Sequence, residues 1–229
     1  MNKQIKIYGL LSILISVLFV IHGCSQLENN LTVAPEATTQ CTLCHGSGDH
    51  PNPPKALNGD TVTTSRGVGA HMNHLLTPEI SAGIQCSECH IPVNSFYDST
   101  HIDRSNPDNR AEIKFGPLAK KIIFGGYIPN PKYDSVDYEC SNVYCHGGFA
   151  GGNVMVVTWT NPDNVVCGSC HGSPTTGNPN PRPYAEYTHD INNTITDCAE
   201  CHFATIDATG KIIHPENHIN GVVNFGENR

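Results

Sequence analysis

The apolar run at the start of the chain, Leu10–Ile21, is broken only by two serines and follows Lys3 and Lys6. A basic start and a short apolar core mark residues 1–23 as an export signal rather than a membrane span. They are therefore set apart from the fold. Residues 24–40 show no periodicity and no aromatic side chain, and are expected to form a flexible tether. Further on, neither a 3.6-residue nor a two-residue rhythm persists. Short β-branched and aromatic stretches at 113–115, 154–160 and 222–225 predict strands. Sixteen prolines and 21 glycines punctuate the rest, which excludes long helices and a large sheet. The expected fold is mostly irregular, with short helices and a few short strands. Trp159 is expected to pack on the small sheet or on a cofactor.

A recurring polar signature organises this irregular chain. Cys41-Thr-Leu-Cys44-His45 returns as Cys86-Ser-Glu-Cys89-His90, Cys167-Gly-Ser-Cys170-His171 and Cys198-Ala-Glu-Cys201-His202. A stretched form, Cys140-Ser-Asn-Val-Tyr-Cys145-His146, lies between them. Ten cysteines in an exported chain could form disulfides. A Cys-x-x-Cys pair could also be half a zinc site or a redox dithiol. None of these explains a histidine after every second cysteine. With 13 histidines in 229 residues, chance would produce all five about once in a million. The pattern is that of c-type haem attachment: two thiols bond the vinyl groups, and the adjacent imidazole becomes the proximal ligand. Five motifs predict five covalently bound haem c groups. Each motif is expected to start or sit on a short helix.

The motifs come in a repeat. Residues 41–116 and 167–229 each read as a two-haem module, and 117–166 as a central one-haem segment. Both modules open on Cys-x-x-Cys-His-Gly-Ser. Both offer a histidine before a second motif, in Gly69-Ala-His71-Met-Asn-His74 and Tyr187-Thr-His189. Both then run from a further histidine, His101 or His218, to a Phe-Gly, Phe115-Gly116 or Phe225-Gly226.

Seven histidines lie outside the signal and the motifs: His50, His71, His74, His101, His189, His214 and His218. Met72 and Met155 are the only methionines beyond the signal. Histidine supply therefore suits five sixth ligands and methionine supply does not, so most or all irons are expected to be bis-histidine, at low potential. The repeat matches His101 with His218 and His74 with His189. His71, one helical turn before His74, is the fifth choice and is assigned to the Cys140 site. His50 and His214 are read as surface residues.

Without residues 1–23 the chain carries 11 basic and 21 acidic side chains, a balance of −10. That disfavours nucleic acid and anionic lipid surfaces as partners. About 41 residues per haem cannot build a separate apolar core around each. The haems are expected to form much of the core, and folding to depend on their attachment.

Ile21-His22-Gly23-Cys24 resembles the lipobox of bacterial lipoproteins, which implies lipidation of Cys24 and an anchor in the bilayer. In that pattern Ser25, in place of an aspartate, implies the outer membrane; which face stays open. The stretch from 41 to 226 resembles the multihaem c-type cytochromes of dissimilatory metal-reducing bacteria. More narrowly, it is similar to the family that mixes Cys-x4-Cys-His with Cys-x2-Cys-His. That resemblance rests on Cys140–Gly147, Cys167–Gly172, the Gly-Ala-His-x-x-His segment and His218-Ile-Asn-Gly221. His101-Ile-Asp-Arg departs from the last of these. The resemblance implies electron transfer across the cell envelope, with other multihaem cytochromes, outer-membrane conduit proteins or external metals as partners; a carrier is the first expectation, and an outer-sphere metal reductase stays open beside it. The competing readings are a multihaem nitrite or hydroxylamine reductase and a cytochrome filament. The Cys-x-x-Cys-Lys site that usually marks pentahaem nitrite reductases does not occur here.

Overall fold

The computed structural model describes residues 46, 55–76, 79–93, 98, 101, 110–123, 125–182, 189–190 and 192–226. The signal, the tether, Cys24 and the first motif (Cys41, Cys44 and His45), together with His50, lie outside the described residues. The chain divides into two units, Met1–Glu36 and Ala37–Arg229. Everything below concerns the second.

Among the described residues one sheet forms, with three strands of three residues each. Strands β1 (Lys132–Asp134), β2 (Glu139–Ser141) and β3 (Val156–Thr158) pair antiparallel in that order. Asp134 makes the first turn: its Oδ1 accepts from the backbone N–H of Val136 at 2.7 Å and of Asp137 at 3.3 Å. That is the usual way an aspartate closes a chain reversal. Cys140 sits on the middle strand, opposite Tyr133 and Val157. The two extra residues of the stretched motif therefore have a structural use. Ser141 completes the strand and Asn142, at φ 56°, turns the chain out of it. Asparagine tolerates that left-handed conformation better than most residues.

Short helices carry the motifs only in part. Cys86–Glu88 and Tyr144–His146 are single 3-10 turns, and α2 (Ala199–His202) covers the last motif. The Cys167 motif is a turn, contrary to expectation. Gly168 has φ 81°, and a Cβ there would strike the Ser173 carbonyl. Backbone of that sign cannot belong to a right-handed helix. Helix α1 (His71–Leu75) forms where the His-x-x-His spacing asks for one turn.

Of the three predicted strands, only 154–160 yields one. Ile113 makes a single bridge to His90, and 222–225 makes none. The hydrogen bonds of these two segments go instead to motif residues. Gly116 N–H donates to the Glu88 carbonyl at 2.9 Å, and Gly226 N–H to that of Cys201 at 3.2 Å.

Among the described residues the buried apolar side chains are Ala56, Val68, Ala70, Ala119, Val143, Tyr144 and Ile206. Three of the seven are alanine, so the polypeptide's own core is slight. Large apolar side chains such as Leu57, Ile128 and Val136 stand exposed. No helix among the described residues is long and apolar enough to cross a membrane.

Candidate haem-binding site

Each of the four described motif histidines faces one histidine from outside the motifs. Ring centres are 6.1 Å apart for His90 and His71, and 5.9 Å for His146 and His74. They are 6.3 Å apart for His171 and His218, and 6.5 Å for His202 and His189. An iron with an imidazole on each side needs about 2 Å per metal–nitrogen bond and roughly 1 Å more to each ring centre, or about 6 Å in all. All four separations fit.

Tautomers fit as well. Nδ1 of His71 lies 2.7 Å from the Val68 carbonyl and that of His74 lies 2.8 Å from Ala70 O. His90 Nδ1 lies 3.3 Å from Glu112 O, and His202 Nδ1 2.8 Å from Asn224 O. His218 Nδ1 lies 2.7 Å from Ile80 O, and His171 Nδ1 meets Pro179 O. A carbonyl can only accept, so each Nδ1 carries the proton and donates it. Nε2 is left with its lone pair, which is the arrangement a metal-bound histidine adopts. His146 is the exception: its Nδ1 is buried without a partner.

Burial favours the neutral form that ligation requires at five of the histidines. It lowers the pKa values of His90, His171, His189 and His218. Burial, reinforced by His74, takes His146 down to about 4. The thiols move the other way. Burial pushes Cys89 and Cys170 up to about 11, and Cys140 and Cys145 up to about 12. A redox dithiol would instead have a depressed thiol pKa. All eight described motif cysteines are free rather than disulfide-bonded. No group of three or more metal-binding side chains converges among the described residues.

Successive motifs touch. His71 and His74 share helix α1, so the Cys86 and Cys140 sites are neighbours. Cys170 Sγ–H donates to the Cys145 carbonyl at 3.5 Å, joining the Cys140 and Cys167 sites. Asn153 clamps the same junction. Its amide nitrogen lies within 3.1 Å of the Gly168, Ser169 and Gly172 carbonyls, and its backbone N–H donates to Cys170 O. His189 and His202 act electrostatically on His171, which sets the Cys198 site beside the Cys167 site. A cleft of about 390 Å³ opens beside His90, lined by Lys114, Phe115 and Lys120 among others. Another of about 520 Å³ opens beside Ser169 and Gly172.

The geometry corrects two expectations. His74, not His71, faces the central His146. Three residues on a helix advance about 300°, a net offset of about 60°, so the two rings leave one face at different angles and meet different partners. His71 then matches His189, since both face the second motif of their module. The Phe-Gly segments also dock out of step. His90 donates to the Glu112 carbonyl, four residues before Gly116, whereas His202 donates to Asn224, two before Gly226. Phe225 stacks on His202 at 4.9 Å, and the bridge to His90 comes from Ile113 rather than Phe115. A shift of two keeps the same side chains on the same face.

His101 is half-buried, and its N–H donates to the Asp98 carbonyl. His214 is an exposed partner of Glu216 at 3.1 Å. Sequence reasoning missed Asn153, the carbonyl acceptors, and Tyr144, whose hydroxyl accepts from Gly221 N–H at 3.2 Å beside the His218 loop. Ile219, next to His218, holds φ 59°, a conformation that β-branched side chains resist.

Residues 139–171, the segment with Cys140, Cys145, His146, Cys167, Cys170 and His171, match the family model described as the Geobacter CxxxxCH...CXXCH motif. No curated protein and no solved structure matches the chain.

Proposed function

We propose that this protein, a multihaem cytochrome c-type motif protein by its CxxxxCH...CXXCH segment, carries electrons through five bis-histidine haem c sites as an outer-membrane lipoprotein. The observation that carries the ligand assignment is the set of four ring pairs about 6 Å apart, each with one motif histidine and one other. When bound, haem c supplies reversible one-electron chemistry. The chain's own residues supply attachment, axial ligands and spacing.

His90, His146, His171 and His202 would be the proximal ligands, paired with His71, His74, His218 and His189. The internal repeat supplies the fifth pair: His101 stands to His45 as His218 stands to His171. The cysteines before these histidines (Cys41, Cys44, Cys86, Cys89, Cys140, Cys145, Cys167, Cys170, Cys198 and Cys201) hold the thioethers. With a second histidine available at each described site, haem iron held there would have no position left for a substrate, which favours a carrier over a reductase. Contacts between successive motifs favour a relay in sequence order. Cys24 would carry the lipid. The acidic surface suits a cationic redox partner, another multihaem cytochrome or a metal acceptor, and not nucleic acid.

Carbon monoxide added to the dithionite-reduced, matured protein is expected to leave the Soret band unchanged, because every iron holds two strong ligands. A shift worth one haem would establish an open iron and turn the reading toward an enzyme.

A second expectation follows from His146. A carbonyl on Nδ1–H makes the far nitrogen more basic and stabilises the oxidised metal. His146 lacks that acceptor. The Cys140 haem is therefore expected to titrate at the highest potential of the four described sites. Potentiometry on Cys140→Ala/Cys145→Ala, compared with the parent, should show the most positive component missing. Loss of a low-potential component would contradict it.

A further inference from the structure

Three aromatic N–H groups dock on alternate carbonyls of one backbone segment. Trp159 Nε1–H donates to Arg66 O at 2.8 Å, His71 Nδ1–H to Val68 O, and His74 Nδ1–H to Ala70 O. Val68 and Ala70 are buried, at 2% and 5% exposure. The indole also meets both imidazoles, edge-on to His71 with ring centres 4.7 Å apart and at 28° to His74 at 5.8 Å. It leaves no space for a side chain at Gly69, where a Cβ would strike it. Trp159 itself directly follows β3, which pairs with the strand of Cys140. Its backbone N–H donates to the Tyr138 carbonyl at 2.7 Å.

We propose that Trp159 is a positioning residue that holds His71 and His74 in place together, so that the distal sides of two neighbouring haem sites form one mechanical unit. The indole is the side chain in ring contact with both histidines, and it ties them to the sheet that carries the first cysteine of the central motif. Edge-on contact fixes the plane of His71, and the near-parallel contact limits the tilt of His74. A change that displaces the Trp159 indole should consequently open the Cys86 and Cys140 sites together, whereas removal of one histidine opens only its own. This rests on the reading that His71 and His74 ligate iron.

Carbon monoxide stoichiometry on full-length reduced holoprotein tests it. Trp159→Ala is expected to bind two equivalents where the parent binds none. Trp159→Phe, which keeps a ring and loses the N–H, should bind fewer. Gly69→Ala, which pushes the indole away without altering it, should also bind two, and it serves where Trp159→Ala does not mature. The triple variant Trp159→Ala/His71→Ala/His74→Ala should still bind two. Uptake at only one site, at none, or at all sites alike would overturn the proposal, the last because it reports general loosening. His71→Ala and His74→Ala separate the two readings. If each binds one equivalent while Trp159→Ala and Gly69→Ala bind none, the ligand reading stands and the positioning role fails. If neither binds any, the ligand reading itself fails.

Discussion

Without haem, the chain is expected to show no cooperative unfolding transition, whereas the matured protein unfolds in one. The expectation follows from what the polypeptide buries by itself. Its apolar core among the described residues is seven side chains, three of them alanine. The α-helices among the described residues are five and four residues long, far below the length at which a helix holds without packing. Its sheet is three strands of three residues, and small sheets need an apolar face to cover them. Domains of this kind draw their stability from covalent or metal cross-links. Here five haems would each join two cysteines and two histidines distant in sequence. His171 and His218, for example, meet across 47 positions. Urea titration followed by far-ultraviolet circular dichroism would compare the matured protein with a chain whose ten motif cysteines are alanine. A sharp transition in the alanine chain would show a self-sufficient core and sink the idea.

That dependence also explains what could be read from the sequence. Thioether attachment and proximal ligation are side-chain chemistry at fixed spacing, so Cys86, Cys89 and His90, and their counterparts, are visible as letters. The pool of candidate sixth ligands is visible too, because only histidine is plentiful. The pairing of rings is another matter. His71 and His74 are equivalent in composition and neighbours in sequence, and only the sense of the helix sends one to His90 and the other to His146. The acceptors that set the tautomers, such as Val68 O, Ala70 O and Ile80 O, are backbone atoms that leave no trace in residue type. Trp159 was legible as a packing residue, but its role beside both histidines depends on a carbonyl at Arg66, 93 residues away. The sheet was half-visible. Val156–Thr158 has the β-branched run that predicts a strand, whereas Lys132–Asp134 and Glu139–Ser141 do not, and they pair because Asp134 makes the turn. The Phe-Gly repeat misled by two residues, since a two-residue slip keeps the same side chains on the same face and leaves the pattern unchanged.

Replacing His74 by alanine is expected to open the Cys140 haem and leave the Cys86 haem closed. His74 and His146 rings lie 5.9 Å apart, while His71 faces His90 at 6.1 Å. Read from spacing alone, His71 would have served the Cys140 site, and the two assignments give opposite results. In His74→Ala, one equivalent of carbon monoxide should bind. Adding Cys140→Ala and Cys145→Ala, which removes the central haem, should abolish that binding. Binding that survives their removal would place the open iron elsewhere and refute the pairing. His74→Met offers a gentler probe, because a thioether can fill the same position. It should leave carbon monoxide unbound and raise one component of the potentiometric titration by on the order of 0.1 V, well inside the roughly 0.8 V that axial ligands command. The raised component should disappear with Cys140→Ala/Cys145→Ala and persist with Cys86→Ala/Cys89→Ala. Because His146 is the one of the four described motif histidines without a carbonyl on its Nδ1, the change would add to a potential already expected to be the highest of the described sites. An electron entering the relay would then rest longest at its middle, between the module that begins at Cys41 and the one that begins at Cys167.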